Sequence, residues 1–310
     1  PVNERSFLSG FAMAGSQLAP MVILPMAGAL CTTGFHHEGW PTLFYVIGIM
    51  ETAWIILWFW LYRDTPAKSW IISAKEKDYI QCNVADGSES NELNVPWKKM
   101  LTSKACWALF VCHTCSNWGF FTLLTETPSY MKNTMNFDIK QNGTLSAIPY
   151  IVTWVLTIIS SYLADFLLKS GYVTSRTLIR KVAVAIGTFV PAAFLMGLGF
   201  VTCARRSIAI VLLALGQGAM GVSWGAGHMC NPNDLAPLHA SIVFGVSNTF
   251  ATIPGIVTPY VTSALTQGGS SGWLAVFGIS AGIMAIGGIV FIIFGSGEPE
   301  VWDSNHTIPA

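Results

Sequence analysis

His113, Asn117 and Glu126 stand within HTCSNWGFFTLLTETPSYM (113–131), part of a run from Ala105 to Met131 in which His113 and Glu126 are the side chains able to carry charge near neutral pH. A histidine can exchange a proton under physiological conditions. An asparagine offers both a donor and an acceptor, and a carboxylate can pair, gate or take up a proton. The spacing of four puts His113 and Asn117 on one face of a helix. Two other patterns invite chemistry and do not sustain it. Cys112-His113-Thr114-Cys115 looks like half of a metal site, but no second cysteine pair stands at zinc spacing and the run is apolar. GVSWG (221–225) with His228 close by matches the serine-hydrolase pattern around Ser223, yet that motif needs a strand-turn-helix elbow, whereas this one lies in an apolar helical run of small residues. Packing accounts for it better.

The elements that must position these residues are membrane helices. The 310 residues are 52% hydrophobic and 10% charged, with a mean hydropathy of +0.53, which excludes an ordinary soluble domain. Eight apolar runs, 6–34, 40–62, 105–131, 143–166, 182–203, 207–230, 238–265 and 272–295, are long enough to cross a hydrocarbon core. The fold class expected is therefore an all-α polytopic membrane protein. The one long polar stretch, Arg63 to Ser103, holds the helix-like SAKEKDYI (73–80) and reads as a solvated connector. With the connector in the cytosol, twelve Lys and Arg residues fall inside and four (Lys132, Lys140, Arg205 and Arg206) outside, the orientation that the positive-inside rule favours.

The first residues, PVNERS, show neither an initiator Met nor a signal peptide. Two spans, a connector and six further spans make a lopsided molecule, and transporters are often built from equal halves. Four spans are accordingly expected ahead of Pro1. The organisation read from the sequence is 1–62, the last two helices of an amino-terminal half; 63–104, the connector; 105–295, a six-helix carboxyl half; and 296–310, a cytosolic tail.

Depth sorts the polar residues. At about 1.5 Å per residue from Ala105, Asn117 lies roughly 18 Å deep, near the middle of a core about 30 Å thick, with His113 one turn below it and Glu126 about 32 Å away at the outer boundary. A polar group at mid-depth needs a partner, and the midplane between two halves is where a transported substrate sits. A bond from Asn117 to a neighbouring helix explains it equally well, and for His113 such a structural bond is the better explanation. Trp118 has packing as its ordinary role, and Pro128 marks Glu126 as a carboxylate at a helix end. Glu51 lies deep in its span, where an unpaired charge is expensive, so it is neutral, paired or facing water. Gln17 sits among small residues just before Pro20 and Pro25, which interrupt or bend the helix. Tyr150, Asn248 and Thr252 complete the cavity candidates, with structural hydrogen bonding as the alternative for each. Gly278 and Gly282 form a GxxxG pair that allows close helix approach.

Several blocks are shared with a known family: AGSQL (14–18), GWPTLFYVIG (39–48), DTPAKSWIISAKEKDYI (64–80), TLLTETPSYMK (122–132), QNGTLSAIPY (141–150), LADFL (163–167), NDLAP (233–237) and SNTFATIPG (247–255). Through these collinear blocks the chain resembles the anion-cation symporters of the major facilitator superfamily, and their sialin branch most. The resemblance implies twelve helices in two halves, alternating access about a central site, and proton- or sodium-coupled movement of small organic or inorganic anions. The family's coupling histidine, arginine and glutamate on its fourth helix would precede Pro1. Asp165 in LADFL resembles the superfamily's gating motif, with Lys169, Arg180 and Lys181 nearby in sequence. Ser116 stands where vesicular glutamate transporters of the family keep an arginine, which disfavours a glutamate-vesicle role. Asn231-Pro232-Asn233 replaces the family's asparagine-histidine ahead of its leucine-aspartate, so an altered loop is expected there.

The function expected is a secondary active transporter of small anions, proton-coupled and sialin-like, with a sodium-dependent phosphate cotransporter as the alternative. Two other classes remain open at this level: a non-transporting receptor or scaffold with the same fold, and an intramembrane hydrolase acting through Ser223. No cofactor or metal is implied beyond a coupling proton or sodium. The partners are a small anionic substrate and the lipid bilayer, and no basic-aromatic patch or phosphate-cradling loop points to nucleic acid. The sequons at Asn142 and Asn305 are weak, the first abutting the membrane and the second falling on the cytosolic side. Multi-pass membrane residence is expected, with the lysosomal, vesicular or plasma membrane left open.

Overall fold

Long apolar runs dictate the architecture, because in lipid each backbone group must be bonded within its own segment, as a helix allows. The computed structural model describes residues 5–31, 40–83, 95–267 and 272–303, and they form helices joined by short links. In order these are α1 (Arg5–Leu30), α2 (Trp40–Leu61), α3 (Ala74–Asn83), α4 (Trp97–Thr102), α5 (Lys104–Asn133), α6 (Ile139–Lys169), α7 (Arg176–Leu198), α8 (Arg206–Ala226), α9 (Asn231–Leu235), α10 (Ala240–Thr266) and α11 (Gly272–Phe294). Six helices, α2, α6, α7, α8, α10 and α11, are by themselves long and apolar enough to cross a membrane. The eight spans read from the sequence exceed that by α1 and α5. Within α1 the apolar part is the shorter Gly15–Leu30. In α5 the buried polar residues His113, Ser116 and Asn117 dilute the hydropathy of a helix that is 30 residues long.

Side-chain caps place several starts earlier than hydropathy does. Ser103 accepts from the backbone N–H of Cys106 (3.2 Å), Asp138 from that of Gln141 (2.7 Å) and Ser175 from that of Leu178 (3.2 Å). Thus α6 begins four residues before the expected 143, and α7 six before 182. Pro128 does not end α5, which continues to Asn133; the Nδ2 of Asn142 on α6 donates to the Pro128 carbonyl at 2.8 Å.

The helices pack in a definite order: α1 on α6, α6 on α8, α8 on α7, α7 on α11, α11 on α5 and α5 on α10. Small residues set the closest approaches. A Cβ at Gly143 would lie 2.6 Å from the Leu24 carbonyl of α1, and one at Gly221 would lie 2.5 Å from the Thr153 carbonyl of α6. On α11 the close contacts belong to Gly287, against Cys115, and Gly288, against Thr188. The GxxxG expectation fails here: Gly282 faces open space and Gly278 meets only the Met196 tip at 3.9 Å, because that pair lies on a face turned away from the neighbouring backbones. No residue of α2 is buried, and the helix meets the bundle through α1.

At the end away from the connector Tyr130 packs edge to face on Trp273 and Phe277, and donates its hydroxyl to the Leu198 carbonyl at 3.3 Å. At the connector end Met100, Phe110, Leu235, Val243, Phe291 and Trp302 form a second cluster. The segment after α11 closes over it. The Gly297 N–H donates to Thr177 Oγ1 (2.9 Å), the Glu300 N–H to the Leu235 carbonyl (2.8 Å), and Asp303 pairs with His239 at 2.6 Å. The start of the expected tail is therefore docked, while the Asn305 sequon lies outside the described residues.

Candidate functional site

Three polar layers occupy the interior. At mid-depth α5 presents Asn117, which is 8% exposed and donates from Nδ2 to the Ala251 carbonyl of α10 at 2.9 Å. The bland reading of Asn117, a bond to a neighbouring helix, is thereby realised. Gln17 of α1 is buried, donates to Ser16 Oγ at 3.0 Å, and leaves Oε1 enclosed without a partner. Tyr150 of α6 is buried, and on α8 the Gln217 carbonyl accepts from Thr153 Oγ1 at 3.1 Å. Gln217 was not anticipated from sequence, since one glutamine among small apolar residues gives no pattern.

Closer to the connector lies a histidine layer. His113 is 1% exposed, with Nδ1 2.8 Å from Ser247 Oγ of α10, and its ring meets that of His228 at a centroid distance of 5.3 Å. His228 stands in the turn after α8, with Nδ1 2.7 Å from Ser223 Oγ. The serine and histidine of the discounted GVSWG motif do meet. Their surroundings are nonetheless those of packing: Gly221 and Gly225 lie hard against Thr153 and Thr157 of α6, and the ring facing His228 is a second imidazole rather than an acid.

The third layer seals the connector end. Arg180 of α7, 3% exposed, donates from Nε to Asp234 Oδ2 at 2.6 Å, from Nη2 to Asp234 Oδ1 at 3.4 Å and from Nη1 to the Ala226 carbonyl at 2.9 Å. Arg176 approaches Asp234 at 4.0 Å. The sequence placed Arg180 beside Asp165; the structure gives its direct ion pair to Asp234, with Asp165 half-buried and acting on Arg180 only through space. Pro232 sits in the first turn of α9, a position that tolerates proline, and Asn231 donates to the Ser296 carbonyl at 2.6 Å. Asp234, in the same short helix, lies under Arg180.

The remaining candidates do not join these layers. Glu51 is exposed on α2. Glu126 is half-buried within α5 and accepts from Thr125 Oγ1 at 3.3 Å. Asn248 and Thr252 lie one turn apart on the exposed face of α10, opposite the Ser247 and Ala251 face that packs on α5, and Trp118 is half-buried. Ser116 is buried with Oγ unpartnered, so nothing at that position offers an anion a positive charge.

Apolar spans, small-residue helix contacts, polar side chains buried at mid-depth and an ion-paired seal at one end define a multi-pass membrane helix bundle. The Major Facilitator Superfamily model matches residues 1–259, and the chain belongs to that family. It is 38% identical over 306 residues to sialin of Homo sapiens, covering 98% of this chain and 60% of the relative. It is 32% identical to a putative inorganic phosphate cotransporter of Drosophila melanogaster over 98% of this chain and 58% of that protein. It is likewise 32% identical to vesicular glutamate transporter 2 of Homo sapiens over 97% of this chain and 51% of that protein. The chain thus spans about three-fifths of the first of these relatives. These relatives carry the names of transporters, not of enzymes.

Proposed function

We propose that the protein moves a small organic or inorganic anion across its membrane by secondary active transport, coupled to protons and working by alternating access. The observation that carries this reading is the exposed polar stripe of α10. Asn248, Thr249 and Thr252 are exposed, off the face on which Ser247 and Ala251 are buried, in a helix otherwise apolar enough to face lipid. The two threonine hydroxyls donate to the Gly245 and Thr249 carbonyls of their own helix, and the exposed Asn248 amide is costly against hydrocarbon and useful against a hydrated cavity. Arg180, the buried cation of α7, is committed to Asp234 and is not free to hold an anion in this conformation. Sialin-like specificity draws support from the 38% identity and from Ser116 in place of an arginine. Counterflow in proteoliposomes of the full-length protein tests the reading. Vesicles preloaded with sialic acid, acidic amino acids or phosphate are expected to accumulate labelled tracer of at least one of them. Absence of counterflow for all three overturns it.

A further inference from the structure

Two histidines from distant parts of the chain meet in the interior with one ring nitrogen each left over. His113 and His228 are both 1% exposed, with ring centroids 5.3 Å apart and planes inclined by 43°. Each ring is held from behind through Nδ1, His113 by Ser247 and His228 by Ser223. The Nε2 atoms of both are enclosed and have no hydrogen-bond partner. An enclosed polar atom left unpaired costs about 1–3 kcal/mol, so two of them on adjoining rings call for a shared occupant.

We propose that His113 and His228 form a proton-binding site in which one proton is held between the two Nε2 atoms over one water, while Ser247 and Ser223 fix the rings. The proton comes from water on the side to which the protein is open and returns to water on the other; no other bond forms or breaks. The pair holds one proton rather than two, because two imidazolium rings at this separation repel. The surrounding ionisable groups leave it that role. From α5 these are Cys112 and Cys115. Cys230 donates to the Gly225 carbonyl, and Arg180 of α7 is locked to Asp234 of α9. Asp165 of α6 acts on Arg180, and His239 at the start of α10 is held by Asp303. The residues of α11 carry no ionisable side chain, and the hydrogen-bond partners of the two rings are serines. No carboxylate therefore claims the proton. The site also lies immediately inside the seal: Arg180 donates to the carbonyl of Ala226, two residues before His228, so exchange with the connector side waits on that contact.

This inference deepens the proposed transport reading, and its test does not depend on transport. The full-length protein, labelled with 15N-histidine and held in lipid nanodiscs, is titrated from about pH 4.5 to 8.5 while the imidazole nitrogens are followed by NMR. The expected result is that the resonances of His113 and His228 move together and that H228Q shifts the midpoint of His113 by about tenfold or more in proton affinity. S223A, which removes a single hydroxyl, makes the same comparison should H228Q fail to fold. Independent titration with midpoints unchanged in the single variants overturns the proposal, as does silence of both rings across the range. A protein that transports nothing yet shows the joint titration keeps the site and loses the transport reading.

Discussion

Replacing Asp234 with asparagine preserves its shape and removes its charge, leaving the Arg180 guanidinium buried without a counter-charge, with the Ala226 carbonyl and one amide oxygen as its acceptors. The pair is 3% and 7% exposed, so neither group regains water when the other is lost. Removing one member of such a pair costs about 3–5 kcal/mol, since it strands a desolvated charge. At about 2–4 °C per kcal/mol, D234N is expected to melt roughly 6–20 °C below the wild type. Arg176, 57% exposed and 4.0 Å away, cannot substitute, and R176A is expected to cost less than about 1 kcal/mol. The double variant R180M/D234L replaces the pair by apolar groups and is expected to recover most of the loss. With the exposed Cys31, Cys82 and Cys203 replaced by serine, labelling of the buried Cys106, Cys112 and Cys230 by a thiol-reactive fluorophore reports unfolding of the purified protein. The reasoning fails if D234N melts within about 2 °C of the wild type, or if the double variant melts no higher than the single ones.

Further outcomes follow from the packing and the polar bonds. G221L drives a side chain into the Thr153 carbonyl and Thr157 of α6 and is expected to abolish folded yield, whereas G282L, facing open space, leaves it intact; size-exclusion profiles separate the two. Asn142 is 8% exposed and bonded to Pro128, so glycosidase treatment is expected to leave the mobility of a fragment carrying that sequon unchanged, and N142A is expected to lower stability by about 1 kcal/mol in thermal melts. S116R buries a cation where Ser116 is 3% exposed, so loss of folded protein is expected instead of a gain of glutamate transport, read as expression yield and labelled-glutamate uptake. E51Q is expected to change the melting temperature little, because Glu51 is exposed on a helix without buried residues.

Hydropathy and depth carried the sequence reading a long way. Apolar runs located the eight long helices, and collinear blocks such as TLLTETPSYMK and SNTFATIPG carried the family. Counting residues from Ala105 placed Asn117 at mid-depth and His113 one turn below, and each is bonded to α10 there. Their partners were not legible: Ser247 and Ala251 lie 134 residues further along the chain, and nothing local in either segment announces the pairing. The same holds for Arg180 and Asp234, 54 residues apart, where proximity in sequence favoured Asp165. Gly278 and Gly282 misled because a small-residue pair shows that close approach is permitted, while the rotation of α11 decides which glycines make it. Helix starts were misplaced where capping side chains, invisible to hydropathy, extend α6 and α7 into polar sequence.

The central claim is that this bundle moves an anion at the expense of a proton gradient. The most direct measurement is initial uptake of labelled sialic acid, acidic amino acid and phosphate by proteoliposomes of the full-length protein under an imposed pH gradient, an imposed sodium gradient, or neither. The account predicts saturable uptake of at least one anion that the pH gradient stimulates and a proton ionophore abolishes. Uptake driven by sodium alone, or no uptake of any of the three under the pH gradient, contradicts it.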